Sequence, residues 1–262
     1  MMIFKTPAPP IMASEERDYR SVMVAAVRRW RVAALAMLQN ALTVYRDGWV
    51  DDVFSSIRSA WFSEEPAITS RLKPFLFSVA QRHRRWWVGL IAKRTGKTIE
   101  GIDPLLQEPW LAEELNSRLK SNVRLIKNIG ETTALQIEEI VKNGVRSGTQ
   151  TNVIIKQIKG KMDATEYRAK LIAQDQIAKH AASLNQIRQQ EAGIDKYEWS
   201  TSLDKRVRPL HQAREGKVFN WSDPPPDGHP GQPVRCRCTA IPIIFDEIYG
   251  QPTKKRPKQL AA

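Results

Sequence analysis

The sequence predicts an α+β chain, mainly helical through its N-terminal two-thirds and closed by a small C-terminal module with short strands. Three observations carry that expectation. Apolar residues recur at helical spacing over most of residues 14–191, in stretches bounded by capping residues, proline or glycine. After Gly193 the texture changes to short alternating or β-branched runs. Among those runs lies PPPDGHPGQP, a loop too rich in proline and glycine to be helical.

The elements follow in order. Ser14 reads as an N-cap, with Glu15 and Glu16 complementing the first turn, and opens a helix to about Asp47 that Gly48 ends. Its apolar face holds Val24, Val27, Ala34, Leu35, Leu38, Leu42 and Tyr45. A shorter amphipathic helix spans Trp49 to Phe62. Ser63 is expected to cap a third helix, with Glu64, Glu65 and Pro66 in its first turn and a kink at Pro74. That helix continues through FLFSVAQRHRRWWVGLIAKR, where Trp86 and Trp87 sit among arginines. Stacking on nucleic-acid bases is one reading of such aromatics. A core stripe edged by arginine stems is the preferred one.

Asp103 and Pro104 mark a turn, and two helices follow, Trp110–Asn128 and Glu131–Val145, separated at Gly130. Gly144 and Gly148 punctuate the next link. Thr149–Ile158 is a short helix, and Asp163 caps a longer one, from Ala164 to about Glu191, that stops at Gly193. KYEWSTS, KVFNW and CRCTAIPIIF are the strand candidates. The expected organisation is a loose N-terminal arm over 1–13, a helical domain over 14–148, the α+β module over 149–247 and a basic tail over 248–262.

With 262 residues, 42% of them hydrophobic, the chain can bury a sizeable core. No apolar run approaches the roughly 18 residues of a membrane span. The start, MMIFKTPAPPIMASEER, lacks the layout of a secretory signal, so a cytoplasmic setting is expected. Lys and Arg outnumber Asp and Glu by 41 to 28, a formal charge of +13, which favours contact with polyanions or an acidic protein surface. The excess is scattered over RRWR, RHRR, KRVR and KKRPK, which suits a generally basic protein better than one dedicated groove. The tail over 254–258 could touch DNA.

Two of the four histidines and both cysteines fall in one window, His211, His229, Cys236 and Cys238. Imidazole and thiolate are what a tetrahedral Zn²⁺ takes, and in an extended strand Cys236 and Cys238 would aim both sulfurs to one side. A C-x-C pair is closer than the usual zinc spacing, and buried free cysteines are common, so a structural Zn²⁺ and a metal-free packed cluster both stay open. A disulfide between cysteines two positions apart would be strained. His83 and His180 are read as ordinary surface or interhelical residues. The cluster carries no H-E-x-x-H, no G-x-S-x-G and no paired acids, so no catalytic residues are assigned and no enzyme is expected.

The order RAKLIAQDQIAKHAASLNQIRQQEAGIDKYEWSTSLDKRVRPLHQAREGKVF, then a Pro/Gly loop, then CRCTAIPI, resembles the phage head morphogenesis family of Mu F-like minor head proteins over roughly residues 149 to 245. Trp199, Thr201, Asp204, Arg206, Pro209, His211, Gly216, Lys217, Val218, Phe219, Cys236, Arg237 and Cys238 occupy its motif positions. Two departures stand out. Where many relatives have C-x-x-C this chain has Arg208-Pro-Leu-His211, and His229 lies seven residues before Cys236 where many relatives place a histidine three before C-R-C. The resemblance implies a low-copy component of tailed-phage heads, found in the virion near the portal and assembled in the host cytoplasm. Its implied partners are the portal protein and capsid proteins, and its implied role is in head assembly, DNA packaging or ejection. The basic charge adds nonspecific contact with packaged DNA as an expectation, and the lack of a long apolar run adds that of no membrane. The competing expectation is a basic DNA-binding or nuclease-like protein acting on the packaged genome.

Overall fold

The structure, a computed structural model, describes residues 13–43, 49–98 and 107–243. The expected helix end at Asp47 and Gly48, Tyr45, the Asp103–Pro104 turn and the KKRPK tail lie outside them. Five long helices, α1 (Ala13–Thr43), α2 (Trp49–Phe62), α3 (Glu65–Thr95), α4 (Leu111–Arg146) and α5 (Thr151–Glu191), precede strand β1 (Lys196–Ser200). A four-residue helix α6 (Pro209–Gln212) and strands β2 (Val218–Asn220) and β3 (Thr239–Pro242) follow among the described residues. The strands form one antiparallel sheet in the order β2-β1-β3, so the mainly helical α+β expectation holds.

The described residues divide into two compact units, each drawn from discontinuous segments. One holds α1, α2, α4, the first part of α3 and α5 up to Ile177. Its core is built on large side chains such as Tyr19, Trp30, Phe54, Ile57, Leu72 and Ile137. Trp30 and Trp61 lie 5.0 Å apart in a tilted pair, and the Trp30 indole N–H donates to the Ile57 carbonyl at 2.9 Å. The Trp61 indole N–H donates to the Lys127 carbonyl at 3.2 Å, seating α2 on α4.

That seat explains where the expected break at Gly130 went. A Cβ at Gly130 would fall 2.0 to 2.3 Å from three atoms of the Trp61 indole, so the glycine clears space for an aromatic ring inside one continuous helix. Gly144 is a similar case, since its Cβ would meet the Ile154 side chain at 2.6 Å. Two residues past the end of α4, Gly148 has a φ of +65°, the left-handed position of a Schellman cap, with Thr149 N–H donating to the Gly144 carbonyl at 2.8 Å.

Two further expectations are corrected. The short helix at Thr149–Ile158 and the helix capped at Asp163 are one element, α5; Asp163 sits in its interior and pairs with Arg31. Ser63 closes α2, its hydroxyl donating to the Ala60 carbonyl at 2.8 Å, and does not cap α3. As expected, α3 continues past Pro74, which lies in its interior.

The other unit comprises residues 78–98, which include the rest of α3, residues 107–110, the last turns of α5 and the sheet. Trp87 is buried with Val88, Ile91 and Ile194, and Trp86 packs beside them, so the tryptophan stripe is core. Arg188, 2% exposed, reaches Glu108 with Nε at 2.6 Å and Nη2 at 2.9 Å and also donates to the Ala80 carbonyl. Its Nη1 lies 2.6 Å from His83 Nδ1. A guanidinium can only donate, so Nδ1 accepts and His83 is neutral. Burial, with the Arg188 charge adding to it, holds the His83 pKa well below the ordinary imidazole value. His83 and His180 are therefore interior residues of this unit, not surface ones.

Gly130→Ala should destabilise the fold by about 1–3 kcal/mol through overpacking on Trp61, while Gly160→Ala, where a Cβ meets nothing within 4 Å, should stabilise it by about 0.5–1 kcal/mol. Urea unfolding of the two variants checks the pair, and equal effects would contradict the packing role of Gly130. Hydrogen bonds from Arg28 and Lys170 hold the Glu166 carboxyl down to about 2. A depressed pKa stabilises the fold above the unfolded value of about 4.5 and loses that contribution as pH falls through 2. The melting temperature of Glu166→Gln should thus lie below wild type at pH 7, with the gap closing toward pH 2.

Candidate metal centre

The three strands are short, and α5 holds them through its side-chain amides. The Ala240 carbonyl on β3 accepts from Asn185 Nδ2 at 2.7 Å and Gln189 Nε2 at 3.0 Å, and Gln189 Oε1 accepts from the Trp221 indole at 3.1 Å. Gly231 lies against the same helix, where a Cβ would approach that of Ala182 to 2.4 Å. On β1, Tyr197 and Trp199 share one face by strand alternation, and Phe219 of β2 packs on both.

The motif residues of the loops are explained by turn and ion-pair chemistry. Asp204 accepts from the Arg206 N–H at 2.9 Å and is gripped by the Arg237 guanidinium, which with that N–H holds its carboxyl down to about 2. Gly216 has φ +71°, and its N–H donates to the Trp199 carbonyl at 2.9 Å, turning the chain into Lys217, Val218 and Phe219. Thr201 N–H donates to the Glu215 carboxylate at 2.6 Å. Pro209 starts α6 with its φ already helical, and that single turn delivers His211.

His211, Cys236 and Cys238 come together, with one ligand atom from each lying within 4.8 Å of the others, and all three are buried. His211 Nδ1 is 3.5 Å from Cys236 Sγ and 3.4 Å from Cys238 Sγ. With Zn–S near ~2.3 Å and Zn–N near ~2.0 Å, the edge of a tetrahedral site is about 3.5 Å. The donor set therefore has the spacing that a metal would require. The cysteines lie just ahead of β3 and not within a strand as expected. A turn closed by Cys236 N–H on the Pro233 carbonyl at 2.9 Å, with Arg235 at φ +58°, still brings both sulfurs to one side.

Around this set stand groups that orient it. His211 Nε2 meets Asp227 Oδ2 at 2.8 Å, and Asp227 Oδ1 accepts from Arg214 Nη1 at 2.6 Å. Burial opposes the charge on Asp227, but Arg214 and His211 outweigh it and its pKa lies below the ordinary value. The Arg214 guanidinium also covers the Trp199 ring at 4.8 Å, and Trp199 meets His211 edge-on at 5.2 Å. A carboxylate on the far nitrogen of a ligating histidine fixes its tautomer and orientation. The two thiols are shifted in opposite directions. A hydrogen bond from the Cys238 thiol brings Cys236 down to about 5 against burial, helped by the Cys238 and Gly231 N–H groups, each 3.4 Å from its sulfur. That same bond, with burial and the Cys236 charge, pushes the Cys238 thiol up.

His229 is not in the group. It lies between Tyr197, whose hydroxyl is 2.8 Å from Nδ1, and Trp221, whose ring it meets edge-on at 4.8 Å. Sequence reasoning missed Asp227, Arg214 and Glu215. Asp227-Gly228 was legible only as a turn, and nothing local in the sequence tells that its carboxylate reaches a histidine sixteen residues earlier.

A helical chain closed by a small sheet with a His/Cys/Cys staple is thus the class that fold and site define. Residues 135–241 match the family described as Phage Mu protein F like protein, the family that the motifs resemble. A Haemophilus influenzae protein, described as uncharacterized, is 38% identical over 152 residues, 56% of this chain. The match spans only 34% of that relative's length. No solved structure matches the chain. Among the described residues, no helix is long and apolar enough to cross a membrane.

Asp227→Asn should weaken metal binding about 10–100-fold while leaving the ligands in place. A competition titration with a chromophoric chelator measures it, and unchanged affinity would remove Asp227 from the site. Cysteines ligate as thiolates, so metal loading should release protons and strengthen as pH rises, which the same titration repeated across pH checks.

Proposed function

We propose that the chain is a non-enzymatic minor head protein of a tailed phage, associated with the portal or the head interior and supporting head assembly and DNA packaging or ejection. The match of residues 135–241 to the Mu F-like family carries this reading. The site supports it from the chemical side. Zn²⁺ is the metal that two thiolates and an imidazole suit best. His211, Cys236 and Cys238 would hold it, three protein ligands that leave the fourth position of a tetrahedral ion open; their burial at 2%, 3% and 6% exposure is what supports an ion that locks loops. Asp227 and Arg214 serve to aim His211. The charge of +13 supports contact with packaged DNA as a secondary, nonspecific interaction.

Two measurements test the reading. Purified protein should carry about one Zn²⁺ per chain and Cys236→Ser should lose it; below about a tenth of an equivalent in the wild type, the metal is not part of the protein. The chain should co-purify with heads and portal and leave duplex DNA uncut with Mg²⁺ or Zn²⁺. Cleavage abolished by His211→Ala would overturn the non-enzymatic role in favour of a DNA-processing one.

A further inference from the structure

The loops flanking the staple, residues 201–210 and 232–238, are held together at three places. Arg237 grips Asp204, the Arg208 guanidinium donates to the Val234 carbonyl at 2.6 Å, and His211 on α6 meets both cysteines. Such fastening ought to hide apolar side chains, yet these loops display them. Leu203 is 79% exposed, Val234 61% and Leu210 57%. Exposed leucines are ordinary when scattered, but here three sit on two loops pinned to one another.

Backbone geometry adds to the pattern. Among the described residues, Leu203 (φ 54°) and Arg235 (φ 58°) are the two non-glycine positions in the left-handed region. A leucine there is unfavourable and, fully displayed, gains no burial in return. The charge is one-sided as well. Lys205, Arg206, Arg208 and Arg237 share these loops with one carboxylate, Asp204, which Arg237 already engages. A nucleic acid would be served by the cations and not by three hydrocarbon side chains. An acidic protein face with an apolar centre matches both, since interfaces combine a desolvated apolar core with a charged rim.

We infer that these two loops form a docking surface for an acidic, apolar-centred face of a partner protein in the phage head, and that the Cys/His staple exists to hold the surface in shape. The inference rests on the head-protein reading and names the part of the chain that would make the contact.

The test uses the full chain in its phage. A triple variant, Leu203→Asn, Leu210→Gln and Val234→Thr, removes the apolar display while leaving Asp204, Arg208, Arg237 and the staple; Asn tolerates the left-handed backbone at 203. The expected result is a tenfold or greater loss of the chain from purified heads, with the melting temperature and duplex-DNA affinity of the isolated protein unchanged. Should the triple variant not fold, Leu210→Gln alone is read the same way, with a loss of at least threefold expected. Incorporation equal to wild type overturns the docking surface and leaves the head-protein reading intact. Wild-type protein absent from heads overturns both. Loss of DNA affinity in parallel with loss from heads overturns the protein partner and makes the loops a nucleic-acid contact.

Discussion

Two side-chain amides decide whether the C-terminal sheet exists. Strands of five, three and four residues cannot stand alone in water. Asn185 and Gln189, one turn apart on α5, both donate to the Ala240 carbonyl, and Gln189 at the same time receives the Trp221 indole. They convert the end of a helix into the missing edge of the sheet. Tyr197, Trp199, Phe219 and the His211 ring against Trp199 pack together on the sheet's aromatic side, which that seam supports alongside the strand ladders. Buried polar networks of this kind are costly when half-made, which gives the seam a single register.

The staple works on top of that seam. His211 comes from a one-turn helix, and Cys236 and Cys238 from a turn ahead of β3. None of these pieces is regular enough to hold a ligand geometry unaided. Asp227 and Arg214 supply the stiffness by fixing the imidazole from behind. The Cys238 and Gly231 N–H groups both point at the Cys236 sulfur and favour its thiolate, the form that a metal takes. His211, Cys236 and Cys238 come together, while His229 packs apart from them between Tyr197 and Trp221.

Much of this was legible in the sequence, and what was not has a common cause. The helical two-thirds, the strand candidates, the tryptophan core at 86–87 and the helix stop at Gly193 follow from periodicity and capping, which are local. Gly130 was misread because glycine means a break when seen alone and a packing notch when an indole from sixty-nine residues earlier needs the room. Asp163 resembles a cap until Arg31 is found opposite it, and Ser63 resembles an N-cap until its hydroxyl turns back to Ala60. In the site, the three ligands could be named from residue type, but their orienting carboxylate could not. Its sequence neighbours, proline and glycine, speak only of turn geometry.

The discontinuity of the compact units bears on how the polypeptide is made and how it can be cut. The unit that carries the staple draws on residues 78–98 as well as on the last turns of α5 and the sheet. It cannot be completed during synthesis until the C-terminal strands have left the ribosome. A fragment trimmed to the matched boundaries, 135–241, would keep Arg188 but discard Glu108, His83 and the Ala80 carbonyl, leaving a buried guanidinium stripped of its acceptors. The boundary recognised by kinship is therefore not a boundary for excision.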